Sequence, residues 1–285
     1  MTGPAPMRRA LTRPPAEGPV GRPRHLTLVW RQFDYWMTVY RRTWRGSVVN
    51  SFLAPLLYLT AIGVLLGGFI DAGDAGRASL GGADSYLHFV APGLLAAHAM
   101  QIAMGEVLWP VMGMIRWNKT YFGMISTPLR VVDVFGAHMG FVLFRVATTC
   151  AVFMVVLAGF GVYRSWWLVL PAFGAQLLIG MAFATPFFGV AAAARSDSVF
   201  AVIFRVVVMP LFLFSGAFFP IGNLAEPLQW AARLTPLWHG VELTRMCFLD
   251  MVTWPAAAGH AAYLAALVAL GGWWSVRRFT RRLIA

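Results

Sequence analysis

The segment FLFSGAFFPIGNLAEPLQWAARLTPLWHGVELTRMCFLDMVTW, Phe212 to Trp254, decides how this chain is folded. It leaves one long apolar run and enters another, yet it carries two helix starts of its own. Asn223, with Glu226 three residues on, resembles a capping box. Pro227 is awkward at the fourth position of such a helix, so a start at Glu226 with Pro227 next is the alternative. Thr235 caps a second helix, with Pro236 at its first position, where a missing N–H costs nothing. Each helix is expected to run about 11–12 residues, roughly 17 Å, which is near half the hydrocarbon thickness of a bilayer. Two such helices joined at Thr235–Pro236 fit a re-entrant hairpin over about residues 221–248. Irregular backbone at that depth must be covered by protein or line a wet cavity.

On the second of these helices Leu237, Val241, Thr244 and Phe248 share one side. His239, Glu242 and Arg245 share another, and Glu242 is expected to pair with Arg245 at i,i+3. A His–Glu–Arg stripe raises the question of catalysis. The hydroxyl in register with it, Thr244, lies on the apolar side, so the stripe reads as paired polar residues at a membrane boundary. No catalytic, cofactor-binding or metal-binding residues are expected.

Working outward, 59% of the 285 residues are hydrophobic and 12% are charged, against about 25% charged in an ordinary soluble domain. The expected class is an all-α integral membrane protein. Six spans are expected, at roughly Ser47–Phe69, Ser85–Val111 (broken at Pro92–Gly93), Val132–Phe160, Trp166–Ala194, Val199–Phe219 and Pro255–Val276. They form one transmembrane unit over residues 46–285. Before them, HLTLVWRQFDYWMTVYRRTWR (residues 25–45) places Leu26, Val29, Trp30, Phe33, Trp36, Met37, Tyr40 and Trp44 in one arc and Arg31, Asp34, Thr38, Arg41, Arg42 and Arg45 opposite. That pattern predicts an amphipathic helix lying in the headgroup plane. Residues 1–24, rich in Pro, Gly, Arg and Ala, read as a disordered cytoplasmic tail. So long a basic region ahead of any apolar run does not read as a cleaved signal.

The net charge is +12, but its distribution points to membrane lipids, not nucleic acid. Nine basic residues precede the first span, and Arg277, Arg278, Arg281 and Arg282 close the chain. Arg116, Lys119, Arg130 and Arg195 join them on one side, against Arg77, Arg164, Arg233 and Arg245 on the other. By the positive-inside rule both termini are cytoplasmic. Cys150 and Cys247 form no metal-binding or redox pattern.

Inside the spans, Arg145 falls near mid-membrane, where a charge costs about 2.5–3.5 kcal/mol on insertion scales. His98 and Gln101 lie nearest to it by depth, with Glu106 closer to the cytoplasmic end but still within reach of Arg145 if the side chain snorkels. Either a buried polar network or a substrate pathway fits these four. The loop MIRWNKTYFGMISTPLRVVDVFG, Met114 to Gly136, presents Tyr121, Phe122 and Met124 and breaks at Thr127–Pro128. It suits either protein docking or a turn in the aromatic belt. There is no P-loop, no H-E-x-x-H and no G-x-S-x-G. If the protein works against a gradient, the energy comes from another chain.

The amphipathic start, the six spans, TYFGMISTPLRVVDVFGAHM and FSGAFFPI…LTPLWHGVELTR together resemble the type-2 ABC exporter permease family. The resemblance runs from about His25 onward. It is nearest the branch with nodulation lipo-oligosaccharide exporters and daunorubicin-type drug exporters. It implies a permease, not an enzyme, in the plasma (inner) membrane, pairing with a second, identical permease chain. Two ABC ATPase subunits, which bind ATP and Mg, would dock beneath. Tyr121, Phe122, Met124, Thr127, Pro128 and Leu129 take a coupling role under this resemblance. Phe214, Phe218, Phe219, Pro220, Pro236, His239, Glu242 and Arg245 take that of an extracellular gate. An amphiphilic substrate is implied: a drug, a lipid or a lipid-linked oligosaccharide. The competing readings are a proton-coupled secondary transporter using Glu106 and His98, and a membrane-embedded enzyme acting on lipid through His239, Glu242 and Arg145.

Overall fold

The computed structural model describes residues 25–73 and 80–284; the expected tail, residues 1–24, lies outside them. Among the described residues the fold is all-helical. Helix α1 (His25–Tyr58) runs unbroken past the amphipathic segment, through a π-helical stretch (Leu59–Leu66), into α2 (Gly67–Asp71). Then come α3 (Tyr86–Arg116), the short α4 (Thr120–Ile125), α5 (Val131–Gly159) and α6 (Val169–Ala193), the last entered by a 3-10 turn at Trp166–Leu168. Helix α7 (Ser198–Ile203) passes through a π-helical stretch (Phe204–Val208) into α8 (Met209–Phe214). A 3-10 turn (Ile221–Asn223), α9 (Glu226–Arg233), α10 (Pro236–Phe248) and α11 (Trp254–Ile284) complete the chain.

Among the described residues, four helical segments are long and apolar enough to cross a membrane: Tyr86–Arg116, Val131–Gly159, Trp166–Ala193 and Trp254–Ile284. Two apolar segments are shorter, Pro55–Asp71 and Ser198–Phe214. Helix α3 is the centre of the bundle, with 72% of its most apolar window buried, whereas α11 is peripheral at 17%.

Several boundaries differ from the sequence expectation. Helix α3 does not break at Pro92–Gly93. Ser85 starts it by accepting the His88 N–H, and burial of Phe89 to Ala97 on neighbouring helices outweighs the one backbone bond that Pro92 removes. Helix α8 stops at Phe214, not Phe219, because Gly216 takes φ 79°, a left-handed conformation open to glycine at little cost. The two helices that the sequence expects to be of similar length are unequal, 8 residues in α9 and 13 in α10. Helix α9 starts at Glu226 with Pro227 next, since proline is tolerated there and not a turn later. Helix α11 runs eight residues beyond Val276, because its last two turns, carrying Arg277, Arg278, Arg281 and Arg282, still bury Phe279 and Leu283.

Helices α6 and α11 meet backbone to backbone. A Cβ on Gly271 would lie 2.8 Å from Thr185 Oγ1 and 2.9 Å from the Pro186 nitrogen. Close approach through small residues is how helices pack where lipid removes the hydrophobic drive. The Ser275 hydroxyl donates to the Thr185 carbonyl across the same seam. Gly271→Val is therefore expected to destabilise the fold by about 1–3 kcal/mol through overpacking, seen as a lower midpoint in detergent unfolding; an unchanged midpoint would show that the seam is not tight.

Candidate functional site

One end of the bundle is closed by the turn Ser215–Pro220 and by α10. Helix α10 is set as its sequence dictates: the Thr235 hydroxyl accepts the Trp238 N–H at 3.3 Å, with Pro236 in the first turn. Leu237, Val241, Thr244 and Phe248 are all buried. The Thr244 hydroxyl donates to the Gly240 carbonyl (2.8 Å) and accepts from Gln176 Nε2 (2.9 Å), tying α10 to α6.

The polar side of α10 divides in two. Arg245 Nη1 donates to Glu242 Oε1 at 2.6 Å, the pair expected from the sequence. Arg245 Nη2 donates to the Gly216 carbonyl at 2.6 Å, and the guanidinium sits 4.2 Å from the Phe89 ring centre. The same turn is held twice more. The Tyr86 hydroxyl donates to the Phe218 carbonyl at 2.9 Å. A Cβ on Gly93 would lie 2.6 Å from Ala217 Cα, so α3 touches the turn backbone directly. Phe218, Phe219, Pro220 and Pro236 are half-buried, while Phe214 is exposed. His239 does not join Glu242 and Arg245. Its Nδ1 lies 2.8 Å from His260 Nδ1, and its ring stacks on Tyr263 at 3.9 Å, so one face of α10 is committed to α11.

Arg164, a residue the sequence marked by charge alone, clamps three segments at this end. It reaches Asp84 through Nη2 (2.7 Å) and Nε (3.1 Å), and donates to the Gly82 and Leu249 carbonyls. The hydrogen bond from Arg164 holds the Asp84 carboxyl below its ordinary pKa. A depressed carboxylate contributes stability above its unfolded pKa and loses it as pH falls through the folded value. The difference in melting temperature between the parent and Arg164→Met is expected to be largest at neutral pH and to shrink as pH falls below the ordinary carboxylate range, leaving the part owed to the Gly82 and Leu249 carbonyls; a difference that does not change with pH would exclude the ion pair as a contributor.

The opposite end gathers the basic residues. Tyr121 is the one fully buried residue of the α3–α5 loop. The His138 Nε2 lies 3.0 Å from the Glu106 carbonyl, which can only accept, so Nε2 carries the proton. His138 Nδ1 is then the acceptor, and the Tyr121 hydroxyl donates to it at 2.8 Å. The Tyr121 ring meets Phe279 of α11 edge-on at 4.9 Å. Tyr121 therefore presents no surface. The exposed face of the loop is Phe122, Thr127 and Pro128, with Met124 and Leu129 half-buried. Gln32 of α1 reaches Met124 Sδ at 3.2 Å, and Arg116 bonds the Arg195 carbonyl of the α6–α7 loop.

Within the bundle, Arg145 meets Glu106, not His98 or Gln101: Nε to Oε1 is 2.7 Å. The long side chain snorkels to the carboxylate, the alternative to the depth match with the other two. His98 instead lies against Phe153, ring to ring at 5.3 Å, and Gln101 is exposed.

The ABC-2 type transporter profile matches residues 25–249, which takes in α1, the Tyr121 loop, the Gly216 turn and α10. Among curated proteins, nodulation protein J of Rhizobium leguminosarum bv. trifolii is 33% identical over 221 residues, covering 75% of this chain and 81% of its own. Nodulation protein J of Neorhizobium galegae is 27% identical over 255 residues, covering 87% and 94%. That of Bradyrhizobium diazoefficiens is 28% identical over 256 residues, covering 87% and 94%. With apolar helices of membrane-crossing length and a family match over most of its length, the chain belongs to the ABC-2 type transporter family and is a membrane protein.

Proposed function

We propose that this chain is the permease subunit of an ATP-driven exporter that moves an amphiphilic compound out of the cytoplasm or inner leaflet. Two ATPase subunits, holding ATP and Mg, dock against Phe122, Thr127 and Pro128. Two copies of the chain form the pathway. The basic end is cytoplasmic, so the Gly216 turn and α10 face outward. Pro55–Asp71 and Ser198–Phe214 complete a set of six spans, and α9–α10 form a re-entrant hairpin. Residues 25–45, the start of α1, lie at the level of the inner headgroups, with Phe33, Trp36 and Tyr40 packed on α5.

The observation that carries this reading is the Tyr121 loop. Its exposed residues suit a docking partner, while its buried residue is bonded to α5 and packed on α11. Displacing the loop therefore moves two helices. At the far end, the turn held by Arg245 and Tyr86 is a closed gate whose locks are side chains on α10 and α3. Opening requires those hydrogen bonds to break.

The direct test is co-expression with a candidate ATPase chain encoded nearby. The two should co-purify in detergent, and Phe122→Ala, on the exposed face, should lose the ATPase while the permease still folds. If no ATPase is retained and a pH gradient alone drives uptake, the exporter reading fails and the proton-coupled alternative replaces it.

A further inference from the structure

Near its end, α11 repeats one pattern twice. Trp273, Arg277 and Arg281 follow one another at four-residue intervals, and so do Trp274, Arg278 and Arg282. On a helix that spacing stacks each set in a column. Each column begins with an arginine over a tryptophan ring: Arg277 lies 3.8 Å from the centre of Trp273, and Arg278 lies 5.6 Å from that of Trp274. All four arginines are exposed. None has a carboxylate partner among the described residues.

The opposite face of these turns is fixed. Ser275, Phe279 and Leu283 are buried. Phe279 meets Phe188 edge-on at 5.0 Å as well as Tyr121, and Ser275 donates to the Thr185 carbonyl. The arginines are therefore carried by packed helix. Stacking on a ring uses the face of a guanidinium and leaves its in-plane N–H groups open. Those groups match phosphate oxygens, often two at a time.

Depth places them among headgroups. Trp254 is 62% exposed and Trp273 is 56% exposed. The helix between them is about 28 Å long, close to a hydrocarbon core of about 30 Å. Exposed tryptophans favour the two membrane boundaries. The arginines follow Trp273 by one to two turns, so they sit in the headgroup layer.

The arrangement selects the ligand. Arg277 and Arg281 are one turn apart, about 5.4 Å, and can share one phosphate; Arg278 and Arg282 can share another. The columns are about 100° apart on a helix roughly 10–12 Å across, within reach of two phosphates joined by one glycerol. Four cations without a counter-ion favour a doubly anionic headgroup over a singly anionic one, and they repel the ammonium of a zwitterion. An arginine on a tryptophan is not enough by itself. At the other end of the molecule Arg233 lies over Trp230 at 5.4 Å, but one turn on stands Leu237, which is buried.

We propose that the last two turns of α11 bind the headgroup of a diphosphate phospholipid of the diphosphatidylglycerol type, one phosphate on Arg277 and Arg281 and the other on Arg278 and Arg282. The leaflet follows from the cytoplasmic placing of the basic end. The binding itself does not rest on the export reading, since a chain that moved nothing would still hold this lipid.

The test is native mass spectrometry of the delipidated full chain in detergent, titrated with diphosphatidylglycerol and, separately, with phosphatidylglycerol at matched phosphate concentration. The parent should bind diphosphatidylglycerol about tenfold more tightly, a difference near 1.4 kcal/mol. Removing one column, as Arg278→Gln with Arg282→Gln, should erase that preference while phosphatidylglycerol still binds the other column. Removing all four should lose both lipids, and Arg233→Gln should change neither. The substituted side chains are exposed, so an unchanged melting temperature will show that the fold is kept. Equal affinity of the parent for the two lipids, or a preference that survives in the one-column variant, would overturn the proposal. So would a four-arginine variant that binds lipid as the parent does and instead fails to retain an ATPase chain, which would give this surface to a protein partner.

Discussion

Arg245→Met is expected to destabilise the chain by about 3–5 kcal/mol, the range for breaking a buried ion pair by removing one partner. The loss has three sources. Glu242 keeps a charge with its 2.6 Å partner gone. The Gly216 carbonyl loses its donor, and the cation over Phe89 disappears. Arg245→Lys separates these effects, because a lysine restores charge but cannot bridge Glu242 and Gly216 with a planar fork. Thermal unfolding in detergent reads the stability. Reaction of a cysteine placed at Phe219 with a membrane-impermeant maleimide reads whether the Gly216 turn has loosened. The methionine variant should melt lower and label faster, with lysine between. Unchanged labelling in both would show that the turn is not held by Arg245.

Tyr121→Ala should have the next largest effect. Removing a fully buried aromatic costs about 3–5 kcal/mol, and here it also strands the His138 Nδ1 acceptor. Tyr121→Phe isolates the second part. It keeps the ring on Phe279 and removes only the hydroxyl, at about 1–3 kcal/mol for a buried group left unsatisfied. If the loop acts as a lever, Tyr121→Phe should lower export more than it lowers ATPase binding, because Phe122 and Pro128 still form the exposed face. Equal loss of binding and export would make Tyr121 a folding residue only.

Local chemistry that sits within a few residues was legible from the sequence. Thr235–Pro236 starts a helix because cap and proline are adjacent. Glu242 and Arg245 pair because helical geometry puts i and i+3 on one side. Leu237, Val241 and Phe248 are buried because they repeat on one face. What escaped was set by distant contacts. Nothing near Tyr121 reveals His138, seventeen residues on, or Phe279 at the far end of the chain. Nothing near Arg245 reveals the carbonyl of Gly216, although a glycine between Ser215 and Ala217 in an aromatic run was a signal for a left-handed turn. His239 was assigned to the wrong neighbours because its partners, His260 and Tyr263, come from the next helix. For Arg145, Cα depth favours His98 and Gln101, and only the length of the side chain admits Glu106, the partner it takes.

The most direct measurement is transport by proteoliposomes containing this chain and its co-purified ATPase, loaded with a fluorescent amphiphile. The expected result is movement that requires hydrolysable ATP, stops with a non-hydrolysable analogue, and is lost in Tyr121→Phe while the ATPase stays bound. Movement driven by a pH gradient with no nucleotide, and unaffected by Tyr121→Phe, would contradict it.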